Sequence, residues 1–178
     1  MRVVFPFVLF LLSFGAARGQ QVHLQDAYRS WSVTYPAYLE DRSGSLSFQQ
    51  ALAATRHFTP ATIPVPNFLG NLSKAIWYRF DATNTSTDTA WFLEIKGGYM
   101  HQQTLYQLFD DGRVDSLALY GDQDFTARPV RSSNLVFPVH LQRGERVSCY
   151  LRATSKSLIR PYGICTPGCR AIAHLYCR

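Results

Sequence analysis

Apolar and polar residues alternate in short runs along most of the chain, and a period of two is the mark of strands that bury one face. Lys74 to Thr83 is rich in aromatic and β-branched residues and runs into the polar turn Asn84-Thr85-Ser86-Thr87-Asp88. Ala90 to Lys96 reads as a second strand, closed by Gly97-Gly98, and His101 to Phe109 as a third. Asp110-Asp111-Gly112 turns the third into a fourth that ends at Tyr120, which is a hairpin signal. Asn134 to Leu141 and Glu145 to Ala153 flank an Arg143-Gly144 turn, and Ser157 to Ile164 supplies a last strand. Short strands at this spacing predict an all-β fold, a sandwich or a barrel.

One element breaks the period. Ser47 precedes Gln50 by three, the arrangement in which each side chain satisfies a free amide at a helix start, and Phe48, Ala51 and Leu52 then share an apolar face. A short helix ending near Arg56 is predicted. Before it, residues 22 to 45 mix polar and aromatic side chains without a clear period and read as an extended arm docked on the body. After it, Phe58 to Pro66 holds three prolines and reads as a surface crossing. Beyond Ile164 the alternation stops. Residues 165–178 are expected to be an atypical tail, either small and natural or the product of a lost reading frame that cuts a longer protein short.

The start of the chain changes the compartment. Arg2, an apolar run from Val3 to Leu12, and Ala17-Arg18-Gly19 with small residues at −3 and −1 of a cut before Gln20 predict a signal peptide over residues 1–19. Its apolar core is about ten residues, short of the roughly twenty that a spanning helix needs. The expected organisation is a leader (1–19), an N-terminal arm (20–45), one β domain (46–164) and the tail (165–178). The chain is 47% hydrophobic and 14% aromatic, enough for a core in one domain of ordinary size. Its formal charge of +6 falls by two when Arg2 and Arg18 are left out, and the other Lys and Arg are scattered, which argues against nucleic acid as a partner.

Candidate chemistry is sparse. Cys165, Cys169, His174 and Cys177 have the residue types of a zinc knuckle, but their spacing matches no common paired-Cys site, and Cys149 stands apart. Asp110, Asp111 and Asp115 lack the distal Glu of a calcium loop and read better as a hairpin. His23, His57, His101, His140 and His174 are dispersed, and no nucleophile elbow or phosphate-cradling loop is present. No metal, cofactor or catalytic residue is therefore expected. Asn71-Leu72-Ser73 and Asn84-Thr85-Ser86 match the glycosylation acceptor pattern.

Binding residues are easier to nominate. On a strand, Trp77 and Arg79 share one face and Tyr78 and Phe80 the other. With Tyr78 and Phe80 inside, Trp77 is a flat platform for a sugar ring and Arg79 supplies donors to hydroxyls or a carboxylate. The structural alternative makes Trp77 core and pairs Arg79 with a carboxylate such as Glu94. Trp91 and Tyr106 are further platforms, and Arg128, followed by Pro129, comes after a loop that holds Asp122 and Asp124.

Several of these pieces fall in a familiar order. They are Tyr38-Leu39-Glu40-Asp41 and Ser43-Gly44 before the capped helix, Leu69-Gly70-Asn71 before Trp77-Tyr78-Arg79-Phe80, and Asn84 in its turn. Tyr120-Gly121-Asp122, Phe125, Arg128-Pro129, Val136-Phe137-Pro138-Val139 and Tyr150-Leu151-Arg152 continue the series. Over about residues 22 to 164 the set resembles the extracellular sensor domain, second type, of the seven-transmembrane receptors with diverse intracellular signalling modules, the 7TM-DISM receptors. The resemblance implies a jelly-roll β-sandwich similar to carbohydrate-binding modules, placed outside the membrane of a bacterium and sensing a small ligand, a sugar first. In such receptors seven membrane helices and an output domain follow. The sequence as given carries neither. The expectation is an exported, periplasmic or extracellular, non-enzymatic ligand-sensing domain without its membrane and output modules, with other receptor domains as further partners. A small secreted glycan-acting enzyme and a protein interaction module are the rivals.

Overall fold

Ten consecutive residues, Ala75–Asn84, form strand β5, within one residue of the predicted bounds. Its side chains alternate between two cores rather than between core and water. Ile76, Tyr78, Phe80 and Ala82 enter a large apolar cluster with Trp91, Leu93 and Phe137 from across the molecule, while Trp77 on the opposite face joins a smaller cluster with Ala37, Phe48, Ala51, Phe58 and Tyr150. A strand buried on both faces belongs in the middle of a layered structure.

The computed structural model describes residues 19–27, 30–34, 36–61, 74–95, 102–121, 128–132, 134–154 and 173–177. Its strands are β1 (Gln21–Leu24), β2 (Ser30–Val33), β3 (Ala37–Asp41), β4 (Thr59–Pro60), β5, β6 (Ala90–Ile95), β7 (Gln102–Phe109), β8 (Val114–Tyr120), β9 (Leu135–His140), β10 (Arg146–Thr154) and β11 (Ala173–Cys177). The larger, seven-stranded sheet runs β4-β3-β5-β10-β7-β8, with β1 also on β5, and the smaller, four-stranded sheet runs β2-β11-β6-β9. Every pair is antiparallel except β1 with β5. The large apolar cluster lies between the sheets, so the fold is an all-β sandwich with a small helix, compatible with the expected jelly roll.

Helix α1 (Phe48–Ala53) begins as the sequence predicts. The Ser47 hydroxyl accepts from the Gln50 amide at 3.3 Å, and the Gln50 side chain accepts from the Ser47 amide at 2.8 Å. A single 3-10 turn, Thr55–His57, follows it. Phe48 and Ala51 turn the helix's apolar face onto the outer surface of the larger sheet and so create the second core.

The first residues of the described chain form strands that pair with β5. β1 lies parallel to β5 from Gln21 opposite Asp81 to Leu24 opposite Asn84, and β3 lies antiparallel to the other half of β5. Both occupy the same edge of β5. Gly19 sits near their junction, where a Cβ would run into the Arg79 carbonyl, so this position has room for glycine alone. Of the expected surface crossing, Thr59 and Pro60 pair with β3, and residues 62–73 lie outside the described residues. Gly97-Gly98 and the strand expected over Ser157 to Ile164 lie outside them too. The stretch expected as a tail contributes β11, inserted between β2 and β6. Five residues of alternation, isolated near the end of the chain, are too few to read as a strand.

One end of the sandwich is closed by Asn84, which is 0% exposed. Its Nδ2 donates to the carbonyls of Asp88 and Leu141, each at 2.8 Å, and its Oδ1 accepts from the Ser86 amide at 3.0 Å. Its backbone also pairs with Gly144 and Glu145 in the turn between β9 and β10, where Gly144 takes a φ of +85°. The side chain nominated as a glycan acceptor is thus spent on tying two turns together. Asn71, the other nominee, lies outside the described residues. Asn84→Ala leaves two carbonyls without their donor and is expected to lower the unfolding free energy by about 1–3 kcal/mol in urea titrations. An unchanged midpoint would deny the side chain that role.

Candidate functional site

The face of the larger sheet that points away from the smaller one is organised by register. Ala37, Arg79, Tyr150, Tyr106 and Ser116 form one row across five strands. Leu39, Trp77, Arg152, Thr104 and Ala118 form the next. On the other side of the first row come Gln21, Asp81, Ser148, Leu108 and Val114. Trp77, Arg79 and Tyr106 are therefore brought together on this face, while Trp91 and Arg128 lie elsewhere.

Trp77 is 0% exposed beneath the cover that α1 provides. Its ring stacks on Tyr106 at 5.7 Å, and Tyr106 stacks in turn on Phe48 at 4.6 Å. The Arg152 guanidinium lies 5.9 Å from the Trp77 ring centre. Tyr106 keeps partial exposure at the margin of the cover. Trp91, at 1% exposure, is in the core between the sheets, meets Trp31 edge-on at 5.2 Å, and donates its indole N–H to the Asp88 carbonyl at 3.1 Å. Arg128 is buried as a clamp, with Nη1 donating to the Ser132 carbonyl at 2.9 Å and Nη2 to those of Gly121 and Tyr120 at 3.1 and 3.3 Å.

Arg79 is the most informative of the five. Its partner is Asp81, two residues along the same strand face, with Nη2 at 3.3 Å from the carboxylate and the guanidinium 5.7 Å from the Tyr150 ring centre. Glu94 instead accepts from the Asn134 amide at 3.0 Å. Asp81, only 3% exposed, also accepts from the Ser148 hydroxyl at 2.7 Å and from Arg146 Nη2 at 3.3 Å. A carboxylate so buried needs such partners, because removal from water disfavours its charge by several kcal/mol. Two guanidiniums meet on one carboxylate, and Arg146 and Ser148 extend the cluster to the half-exposed surface. The adjacent Glu145 and Asp115 are taken by Arg113, at 3.2 and 2.6 Å.

Gln21, the register partner of Asp81, is itself one of the residues lining a groove that runs beside β1 and β2. The groove holds about 270 Å³ and is lined by Gln20, Gln21, His23, Gln25, Trp31 and Ser32 among others. The Gln20 amide is fixed at both ends, donating to the Ser32 carbonyl and accepting from the Thr34 amide at 2.8 Å each. Side-chain amides, an imidazole and one indole can donate to, accept from and stack on a small polar molecule.

Over residues 34–162, more than half of its length, the chain matches the family described as 7TMR-DISM extracellular 2. The chain belongs to this family. The resemblance read from ordered sequence motifs and the family match thus agree, and the membership makes the chain one of the extracellular sensor domains of 7TM-DISM receptors, a ligand-sensing unit outside the cytoplasm. No curated protein matches the chain. Among the described residues no helix is long and apolar enough to cross a membrane. The 7TMR-DISM extracellular 2 match begins between β2 and β3, so the residues lining the groove beside β1 and β2 lie before it and the Asp81 cluster within it.

Sequence reasoning missed Asp81, Arg146, Ser148 and Trp31. Asp81 was legible, since a carboxylate at i+2 from Arg79 on a strand shares its face. Arg146 and Ser148 reach it only through the pairing of β5 with β10, which no local pattern encodes.

Asp41 fixes the edge of this face. Burial alone would push its carboxyl up, but hydrogen bonds from Ser43, Leu46 and Gly44 and the Arg152 charge outweigh burial and hold it below its ordinary value of 3.8. Asp26 is lowered too, by hydrogen bonds from Ser86 and from the Thr87 amide and side chain against a smaller opposing effect of burial. Groups with lowered folded-state pKa values add stability that is complete above the unfolded value and is lost as pH falls through the folded one. Thermal stability is therefore expected to drop below about pH 4, and Ser43→Ala should flatten that drop when melting is followed from pH 5 downward. An acid profile unchanged by Ser43→Ala would remove Asp41 from the account.

Proposed function

We propose that this 7TMR-DISM extracellular 2 domain is the exported sensor of a bacterial signal-transduction receptor, and that it binds a carbohydrate or a related small polar molecule without chemical turnover. The observation that carries the reading is the pairing of Gln21, a lining residue of the Trp31 groove, with Asp81 of the cluster. A sugar offers an apolar ring face and a belt of hydroxyls, and the groove offers an indole with side-chain amides, with the Arg–Asp pair one strand away from Gln21. In this reading Arg79 and Tyr106 belong to the binding face from within the sheet. Trp77, Trp91 and Arg128 hold the frame on which it rests.

The experiment is a calorimetric panel of neutral sugars, sugar acids and small carboxylates against the purified chain. The expected result is saturable binding of at least one class, weakened about tenfold or more by Trp31→Ala and by Arg79→Ala, a loss of about 1.4 kcal/mol or more each. The melting temperature of Trp31→Ala should fall less than that of a core substitution such as Phe80→Ala. Folded protein that binds nothing in the panel would end the carbohydrate reading, and glycoside turnover abolished by replacing one Asp or Glu would replace it with an enzyme.

A further inference from the structure

The smaller sheet is finished at β2 by a side chain. β2 is an end strand, with β11 as its ladder partner among the described residues. Two of its backbone groups are taken by Gln20, which precedes β1. The Ser32 carbonyl accepts from Gln20 Nε2, and the Thr34 amide donates to Gln20 Oε1, each at 2.8 Å. On either side of Val33, one side-chain amide thus occupies the carbonyl and the N–H that a neighbouring parallel strand would occupy. An end strand with such groups open is a template for pairing with other chains, and this rung closes it.

Gln20 is held by the larger sheet as well. Its main-chain carbonyl accepts from the Asp81 amide at 2.9 Å, so the residue ties the two sheets together at the start of β1. It is also the residue before which the sequence places a leader cut, with Ala17 and Gly19 as the small residues at −3 and −1. Removal of the leader makes the Gln20 nitrogen a free α-amine, and an N-terminal glutamine has chemistry that an internal one lacks. The amine nitrogen can attack its own side-chain Cδ. The new N–Cδ bond closes a five-membered lactam, pyroglutamate, and the Cδ–Nε2 bond breaks. Nε2 takes the proton that the amine gives up and leaves as ammonia, so no oxidant, reductant or co-reactant is needed. The nitrogen that leaves is the one that donates to Ser32.

We propose that Gln20 is the first residue of the exported chain and that the fold keeps it an open glutamine, with cyclisation to pyroglutamate as the modification that unlocks β2. Ring closure must first withdraw the amide from Ser32 and Thr34, so it proceeds from conformations in which the start of β1 is undocked. Once the lactam has formed there is no Nε2 to return to the Ser32 carbonyl, and the rung is not remade. Gln20 lines the groove together with Trp31 and Ser32, so the modification reshapes the groove too. This role of Gln20 rests on export of the chain as proposed above and not on what the groove binds.

Intact-mass and N-terminal fragment spectra of the chain exported by a bacterial host, followed over time at neutral pH, provide the test. The chain is expected to begin at Gln20 with its full mass. Incubated in the folded state, it should lose the mass of one ammonia at least about tenfold more slowly than the same chain in guanidinium chloride. A chain cyclised in denaturant and then refolded should melt below the unmodified one and exchange its Thr34 amide with deuterium faster. Gln20→Ala should show both changes with no loss of ammonia. Should the cyclised chain fail to refold, the ratio of rates and Gln20→Ala decide. An exported chain that begins at another residue, or that is isolated as pyroglutamate, overturns the proposal. Equal rates of ammonia loss with and without denaturant overturn it as well, as does a cyclised chain or a Gln20→Ala chain with the wild-type melting temperature and Thr34 protection. These readouts involve no ligand, so a folded chain that binds no sugar ends the carbohydrate reading and leaves the role of Gln20 standing.

Discussion

Burial of β5 on both faces is the constraint from which the rest of the molecule follows. A strand in that position can carry no side chain that looks to bulk water for its partner. Its apolar members settle this by packing, Tyr78 and Phe80 between the sheets and Trp77 beneath α1. Its charged members cannot. Arg79 and Asp81 share one face of the strand, and each meets groups that the fold brings alongside. The helix exists for the same reason, because six residues of helix have little stability of their own and draw it from the aromatic surface they cover.

β10 joins these two necessities. Its outward residues are Arg146, Ser148, Tyr150 and Arg152 in sequence. The first two reach Asp81, Tyr150 meets Phe48 and Phe58 edge-on, and Arg152 Nη2 donates to the Gly44 carbonyl at 2.6 Å in the loop anchored by Asp41. The Thr55 and Tyr150 hydroxyls are also 3.0 Å apart. One strand thus touches the ionic cluster, the aromatic stack and the covering loop.

Much of this was legible in the sequence, and the reasons are local. The capping box of Ser47 and Gln50 is a short-range device, and it appears as read. The alternation of β5 to β10 located those strands to within a residue or two because each was long enough to show its period. β1, β2 and β11 were not seen as strands, since four or five residues hold too few alternations to separate from irregular chain. The candidate site divides in the same way. Arg79 stood out through its own strand, and the resemblance to the sensor family rested on motifs in order. The contribution of Arg146 and Ser148 depends on which strand neighbours β5, and that of Trp31 on where the arm docks. Both are facts of topology.

The place of β11 bears on how the protein is assembled. Its hydrogen-bonded neighbours are β2, from near the beginning of the chain, and β6, from its middle. β2 has no other ladder partner among the described residues. Sheet closure there must wait for residues 173–177, after the other strands described have been made, and contacts of such sequence separation are slow to form. Until then β2 and the exposed side of β6 are open strands in a half-built sandwich. Open strands of that kind expose unpaired backbone and apolar surface, the features through which partly folded chains aggregate.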